Sequence, residues 1–244
     1  DIVMLGAYVA FYGVVMFMLP WWVAFPLAII LTAGIGVIIE RAAYRPLRSF
    51  PRINLFTSAV AVSFLLENLG NVIFGGRPKA FERPAFMDIA LQIGEASVLS
   101  YTPIIIVTAA ILFAILIYIV NRTKVGMAMR ALSKDIETTG LMGINTDRII
   151  MFSFMLGSAL AAAGGILWAI KFPQINPLMG VMPGLKAFIA AVLGGIGNIT
   201  GAMLGGFLLG VVEIMIVAFF PDLSGYRDAF AYVILILLLL FRPT

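Results

Sequence analysis

The chain has 244 residues, of which 62% are hydrophobic and 11% charged, with a formal net charge of +4 and a mean hydropathy of +1.10. About a quarter of the residues are charged in soluble domains, so this composition excludes that class and predicts an all-α, polytopic transmembrane helical bundle. Histidine and cysteine are absent, which excludes His/Cys metal sites, cysteine nucleophiles, disulfides and Ser–His catalysis, and we predict no catalytic residue and no metal in this chain.

Six apolar stretches are predicted to be membrane segments from their hydropathy. In chain order they are 2–19, 21–39, 53–74, 103–120, 149–170 and 229–241. Pro20 and the pair Trp21–Trp22 mark the turn between the first two, because aromatic side chains favour the membrane–water interface. The chain starts at Asp1 without a methionine or a signal-peptide pattern, so we expect it to be a piece of a longer protein.

Two basic stretches predict the orientation of the chain in the membrane. Residues 40–52 and 121–148 are rich in arginine and lysine, and both should face the cytoplasm by the positive-inside rule. Two predicted segments lie between them, so the loop at 75–100 should be extracytoplasmic. Alternating residues around Gly94–Glu95 predict a short hairpin in that loop. Because the positive charge follows from the cytoplasmic loops, no nucleic-acid partner is expected.

Region 186–219 is rich in glycine, too long for one helix and short for two crossings, which predicts a broken or re-entrant helix. Its predicted parts are a half-helix (184–196), a turn (197–200) and a full span (201–219). Irregular backbone at membrane depth must be covered by protein or line a water-filled cavity, so this region is a candidate pathway wall. The pathway residues predicted there are Gly194, Gly195, Gly197 and Asn198. The alternative is a kinked helix that packs closely through a ridge of Gly197, Gly201 and Gly205.

The stretch after the fourth apolar segment turns polar, and residues 133–142 have the composition of a short helix outside the membrane. Ser133 is the predicted N-cap, and Asp135 and Glu137 suit the positive end of the helix dipole. Gly143 suits the left-handed residue that follows a helix end. From the residues alone, the polar face of this helix is either solvated, which is the default, or docked into a partner.

Four motifs carry a resemblance to a known family. They are ERAAYRPLR (40–48), RALSKDIETTGLMGINTDRI (130–149), GLKAFIAAVLGGIGNITGAMLGGFLLGVVE (184–213) and FRPT (241–244). In this order, along residues 1–244, the chain resembles the membrane-spanning permease subunits of bacterial ABC importers for branched-chain amino acids. Members of that family carry an earlier membrane segment that has no match among these residues.

The resemblance implies a single transmembrane permease domain over 1–244, with a cytoplasmic coupling segment at 121–148. The short helix of this segment would fit a cleft in an ATP-binding subunit and take up the conformational change of the ATPase. The residues implied in coupling are Ser133, Asp135, Glu137, Gly140, Gly143, Ile144 and Asn145.

The implied function is that of a permease subunit in an ATP-driven importer of the bacterial inner membrane, for branched-chain or related amino acids. The expected partners are ATP-binding cassette subunits, a second permease subunit, a periplasmic solute-binding protein, the amino-acid substrate and the lipid bilayer. No G-x-x-x-x-G-K-[ST] motif occurs, so we expect no bound cofactor and no enzyme activity here, with ATP-Mg in a partner subunit. The loop at 75–100 and the segment at 171–188, kept irregular by its prolines, are the expected docking surface for the binding protein.

Two carboxylates, Glu67 and Glu213, lie in apolar surroundings. A charge at the bilayer centre costs at least about 2.5–3.5 kcal/mol on insertion scales, so such residues are usually functional or paired inside the bundle. We predict that Glu67, Asn68 and Glu213 lie on the translocation pathway, where the carboxylates would contact the substrate ammonium. The alternatives are a structural hydrogen bond between helices and, for Glu67, a position near the outer interface.

A passive channel or a secondary transporter for a small polar solute is the alternative function. A channel would conduct without nucleotide, and it gives the helix at 133–142 no role. A secondary transporter predicts inverted repeats, and the sequence contains no convincing one.

Overall fold

The computed structural model describes residues 1–48, 50, 52–93, 96–195 and 197–241 of the chain. The chain forms two compact units, Asp1–Gly180 and Val181–Thr244, and each has its own hydrophobic core. The prediction of a single permease domain over 1–244 stays a prediction.

The first unit consists of helices with two small strand pairs. Its helices are α1 (Ile2–Val15), α2 (Trp21–Ile39), α3 (Arg52–Phe74), α4 (Tyr101–Arg122), α5 (Lys124–Lys134), α6 (Ile136–Leu141) and α7 (Thr146–Lys171). Its strands are β1 (Lys79–Ala80), β2 (Ala90–Ile93), β3 (Ala96–Leu99) and β4 (Gln174–Ile175). Antiparallel pairing of β2 with β3 confirms the predicted hairpin, while its turn at Gly94–Glu95 lies outside the described residues.

The second unit contains three helices. They are α8 (Val181–Gly194), α9 (Ile199–Phe219) and α10 (Arg227–Phe241). A 3-10 turn at Pro221–Tyr226 joins the last two, and Ile189, Leu209 and Ala231 form the core of the unit.

Five helices among the described residues are long and apolar enough to cross a membrane: Trp21–Leu47, Ile53–Phe74, Tyr101–Arg122, Thr146–Lys171 and Ile199–Phe219. The prediction of an all-α, polytopic bundle is therefore confirmed. The segment predicted at 2–19 is a shorter helix of 14 residues, which spans about 21 Å, less than the ~30 Å of a bilayer core. It ends at Val15 because the chain turns there, with the N–H of Leu19 donating to the carbonyl of Gly13.

Small residues hold the core helices of the first unit together. Helix α1 packs on α7 so closely that a Cβ added to Gly6 would lie 2.4 Å from the Cα of Ala162. Helix α2 approaches α7 in the same way, where a Cβ on Gly36 would lie 2.0 Å from Oγ of Ser158. Lipid supplies no hydrophobic force between helices, so close van der Waals contact through small residues is how membrane helices associate.

The chain beyond the C-terminal end of α2 is not regular α-helix. The chain continues through a π-helical stretch at Glu40–Tyr44 and a 3-10 turn at Arg45–Leu47. Such turns change the direction in which successive side chains point, and they frequently occur at functional sites.

The two segments that the sequence predicts to be extracytoplasmic are joined by pairing of β1 with β4. The predicted irregular segment at 171–188 is wrong beyond Gly180, because α8 begins at Val181. Pro183 is compatible with this helix because it lies in the first turn, where the missing N–H would have no intrahelical partner.

Candidate functional site

The predicted coupling helix is present but shorter than expected. Ser133 is not its N-cap, because α5 continues through Lys134 and the hydroxyl of Ser133 donates to the carbonyl of Arg130 at 2.8 Å. Asp135 is the N-cap of α6. Its Oδ1 accepts hydrogen bonds from the N–H groups of Glu137 and Thr138 at 2.9 and 3.2 Å. The helix at 133–142 is thus two helices separated by one extended residue.

Local hydrogen bonds stabilise the negative charge of Asp135. The hydroxyl of Thr138 donates to its Oδ2, and this bond is the first cause of a lowered Asp135 pKa. The N–H groups of Thr138 and Glu137 lower the pKa further, against a weaker opposing effect of burial. The carboxylate of Asp135 is therefore charged at neutral pH, and it interacts favourably with the positive end of the α6 helix dipole.

The C-terminal end of α6 matches the prediction for Gly143. This residue has φ +80°, and its N–H donates to the carbonyl of Gly140 at 3.0 Å. A residue with a Cβ is disfavoured at such a φ. Asn145 then caps α7, since its Oδ1 accepts from the N–H of Arg148 at 3.1 Å. Two caps and one left-handed glycine therefore hold α6 in place between α5 and α7.

Apolar side chains on α6 and at its C-terminal end are largely exposed among the residues that the structure describes. Ile136, Leu141 and Met142 are 60%, 84% and 79% exposed. Beside them, α5 and α6 border a cavity of about 400 Å³, whose lining includes Ile144. Exposed apolar residues on a helix outside the membrane are typical of a surface that binds another protein.

An ionic cluster connects the stretch after α2 with the start of α7, at the end of the predicted coupling segment (121–148). Arg48 binds the buried carboxylate of Glu40 and donates to Oδ1 of Asp147 at 2.6 Å, and Arg45 donates to Oδ2 of Asp147 at 2.5 Å. Sequence reasoning did not identify this cluster. Its only signal was one glutamate in an arginine-rich stretch at a helix end.

Replacing Asp147 by asparagine should weaken this link only slightly. Its side chain is 46% exposed, so we expect the free energy of unfolding to fall by about 1 kcal/mol or less. Thermal denaturation of the purified chain in detergent measures the change, with Asp88→Asn at the exposed Arg83 pair as the control. A loss several times larger than that of the control would show that Asp147 acts as part of a buried network.

The glycine-rich region forms two helices with a break between them, but its re-entry into the membrane stays a prediction. Asn198 caps α9, with its Oδ1 accepting from the N–H of Gly201 at 3.1 Å. A Cβ on Gly194 would lie 2.0 Å from the carbonyl carbon of Gly201, so the two backbones touch. The predicted ridge is wrong at Gly197, which lies in the break at φ +93°. Gly195 also lies there with φ +88°.

Glu213 has a partner on a neighbouring helix that sequence reasoning missed. Nζ of Lys186, from α8, lies 2.9 Å from Oε1 of Glu213 on α9 and 2.7 Å from Oδ1 of Asp228 on α10. Glu213 is only 9% exposed. The sequence did contain a signal for this pair, since Lys186 is the single charged residue in the stretch 181–212. The three charges tie together the three helices of the second unit.

Glu67 and Asn68 lie on α3 in the first unit, whereas the other predicted pathway residues lie in the second. Nδ2 of Asn68 donates to the carbonyl of Phe64 at 2.7 Å, within its own helix. Glu67 is half-buried, and Asn68 is exposed. Across the residues that the structure describes, no three acidic side chains are grouped closely enough to hold a metal ion.

Comparison with known proteins gives matches along the whole chain. The profile of the family described as "Branched-chain amino acid transport system / permease component" matches residues 1–239. The chain is 41% identical to the high-affinity branched-chain amino acid transport system permease protein BraD of Pseudomonas aeruginosa, over 100% of the chain and 82% of that protein. It is 38% identical to the permease protein LivH of Salmonella typhimurium, with the same coverage of 100% and 82%.

A more distant similarity leads to a permease named for another solute. The chain is 28% identical to the ribose import permease protein RbsC of Haemophilus influenzae, over 90% of the chain and 67% of that protein. No solved structure matches the chain significantly. Because the family profile and the two nearer relatives cover the chain almost from end to end, it belongs to the family of permease components of branched-chain amino acid transport systems.

Proposed function

We propose that this multi-pass membrane protein is the permease subunit of an ATP-driven importer, which forms the pathway for branched-chain amino acids together with a second permease subunit. A solute-binding protein delivers the substrate on the periplasmic side of the bacterial inner membrane. Two relatives of 41% and 38% identity are named as high-affinity permease proteins for these amino acids, which supports this choice of substrate.

The observation that carries the proposal is the geometry of α6. A six-residue helix, capped by Asp135 and ended at Gly143, presents exposed apolar side chains beside polar ones on a surface outside the predicted membrane segments. A channel has no use for such a helix, whereas an importer driven by a separate ATPase needs a contact that transmits motion. The proposed coupling residues lie on this helix or at its two ends, except Ser133, which lies in the last turn of α5.

ATP hydrolysis takes place in the partner. The sequence contains no G-x-x-x-x-G-K-[ST] motif, the loop whose backbone N–H groups and lysine hold the phosphates of a nucleotide. ATP-Mg is therefore bound by cassette subunits, and the permease receives the conformational change through α6.

The pathway is assigned to the polar and glycine residues inside the membrane segments. Glu213 and Glu67 supply negative charge that attracts the ammonium group of an amino acid. The break between α8 and α9, with Asn198 at its end, supplies backbone groups that a passing solute can reach.

The binding protein docks on the extracytoplasmic segments of the first unit. Of the basic residues there, Lys79 donates to the hydroxyl of Tyr12 at 2.5 Å, and Arg83 pairs with Asp88 at 3.2 Å. Arg77 and Lys171 are exposed and remain the candidates for contacts with acidic groups of the binding protein.

The double substitution Glu137→Lys with Gly143→Val tests the coupling role. Valine at φ +80° costs about 1–3 kcal/mol of backbone strain, and lysine reverses a charge in the first turn. We expect the amount of copurified ATPase and the rate of ATP-dependent leucine uptake to fall at least about tenfold, which corresponds to ~1.4 kcal/mol of binding.

The matched control is Glu82→Lys with Gly75→Val. Glu82 is exposed, and Gly75 also has φ +80°, but both lie in the extracytoplasmic loop. The control should retain the ATPase. Equal ATPase retention by the two double variants would refute the coupling role of α6, and uptake without nucleotide would favour a passive channel.

A further inference from the structure

A second cavity lies at the predicted cytoplasmic end of the first unit, and Asn145, which follows α6, is part of its lining. Residues that follow the C-terminal end of α2, residues at the start of α7 and Val125 of α5 surround an open cavity of about 590 Å³. Arg41, Arg45 and Arg148 line it together with the carboxylates Glu40 and Asp147. The positive-inside rule places this end in the cytoplasm, at the depth where helices leave the hydrocarbon core.

The cavity contains more positive charges than its ion pairs neutralise. Arg45 and Arg48 are bound by the two carboxylates, so that group is neutral. Arg41 donates to the sulfur of Met151 at 3.5 Å, and neither Arg41 nor Arg148 has an acidic partner among the residues that the structure describes. Arg41 and Arg148 therefore border the same cavity, and planar guanidinium groups bind phosphate oxygens in pairs.

Apart from Asn145, the rest of the lining is apolar. Val125, Ile149 and Phe152 are half-buried side chains that border the cavity. A soluble anion needs no such surface, whereas a diacyl lipid places its phosphate among cationic groups and its acyl chains along apolar ones. Anionic lipids also concentrate in the cytoplasmic leaflet, where each nearby arginine contributes to their attraction.

We propose that this cavity is a binding site for one anionic phospholipid, whose headgroup phosphate is held by Arg41 and Arg148. This inference goes beyond the proposed transport function and depends on neither the substrate nor the ATPase. A bound lipid would occupy a cavity between the end of α2 and the start of α7, which is lined in part by residues of the proposed coupling segment at 121–148.

Native mass spectrometry of the full chain in a neutral detergent tests the site by titration with lipid. Phosphatidylglycerol should bind more tightly than phosphatidylcholine of the same acyl chains. Arg41→Gln with Arg148→Gln should weaken phosphatidylglycerol binding about thirtyfold, or about fivefold for each arginine, and leave phosphatidylcholine unchanged. The control Arg122→Gln with Arg130→Gln removes the same charge from exposed positions outside the cavity and should change binding less than about twofold.

Three results would overturn the proposal. Unchanged phosphatidylglycerol affinity in the Arg41/Arg148 variant would show that the cavity binds no lipid. Displacement of phosphatidylglycerol by inorganic phosphate at the same concentration would show a site for a free anion. Loss of copurified ATPase in the variant, with lipid affinity retained, would assign the arginines to an acidic surface of that partner.

Two further measurements keep the test decisive if the glutamine variant does not fold. Arg41→Lys with Arg148→Lys keeps both charges but removes the paired N–H groups, so it should fold and bind phosphatidylglycerol with intermediate affinity. The comparison of phosphatidylglycerol, phosphatidylcholine and inorganic phosphate on the wild-type chain needs no variant. Equal affinity for the two lipids there refutes the site.

Discussion

Replacing Gly201 by leucine will disrupt the packing of α8 on α9. The carbonyl oxygen of Gly194 lies 2.0 Å from the position of a Cβ on Gly201, so any side chain meets backbone that cannot rotate away. Overpacking of this kind costs typically about 1–3 kcal/mol, and a backbone clash lies at the upper end of that range. We expect a lower melting temperature in detergent and proteolytic cleavage near the break between the two helices.

Gly210→Leu is the matched control, because it places the same side chain in the same helix. A Cβ on Gly210 meets no heavy atom within 4 Å, and leucine favours the helix over glycine by up to about 1 kcal/mol. The control should melt at or above the wild-type temperature. If the two variants have the same melting temperature, the contact between Gly194 and Gly201 does not stabilise the second unit.

The long apolar helices could be predicted because side chains that contact lipid are apolar, so a high hydropathy along the chain identifies the segments in the membrane. Predicted segments 53–74, 103–120 and 149–170 agree with α3, α4 and α7 to within a few residues. Helix α1 differs because its end depends on a turn in which N–H groups bond back to earlier carbonyls, and hydropathy does not record such bonds.

The ends of α6 show what local chemistry can and cannot decide. Gly143 was predictable, because a positive φ after a helix strongly favours glycine. Ser133 and Asp135 are both good N-caps two residues apart, and their types alone do not choose between them. The choice is made by α5, which continues past Ser133 and leaves Asp135 as the extended residue.

Contacts between residues far apart in the chain could not be predicted from the sequence. Lys186 and Glu213 are 27 residues apart and meet only because the chain reverses at the break between α8 and α9. The glycine that touches Gly201 is Gly194 rather than Gly197 for the same reason. Spacing along one helix cannot identify the partner on the next.

The ionic contact of Lys186 is expected to stabilise the second unit strongly. Lys186→Met would leave the buried carboxylate of Glu213 without its ammonium partner. Breaking a buried ion pair on one side costs about 3–5 kcal/mol, so this variant should express poorly and melt well below the wild type in detergent. Asp228 is more exposed and should adapt by contact with water.

The double variant Lys186→Met with Glu213→Leu separates the stabilising role of the pair from a role in transport. Removing both charges together is often neutral for stability, so the double variant should recover most of the lost melting temperature. Uptake of leucine should nevertheless stay low, because the proposed function assigns to Glu213 the attraction of the substrate ammonium. Recovery of uptake along with stability would instead make Glu213 a purely structural partner of Lys186, and the pathway would then depend on the remaining polar groups.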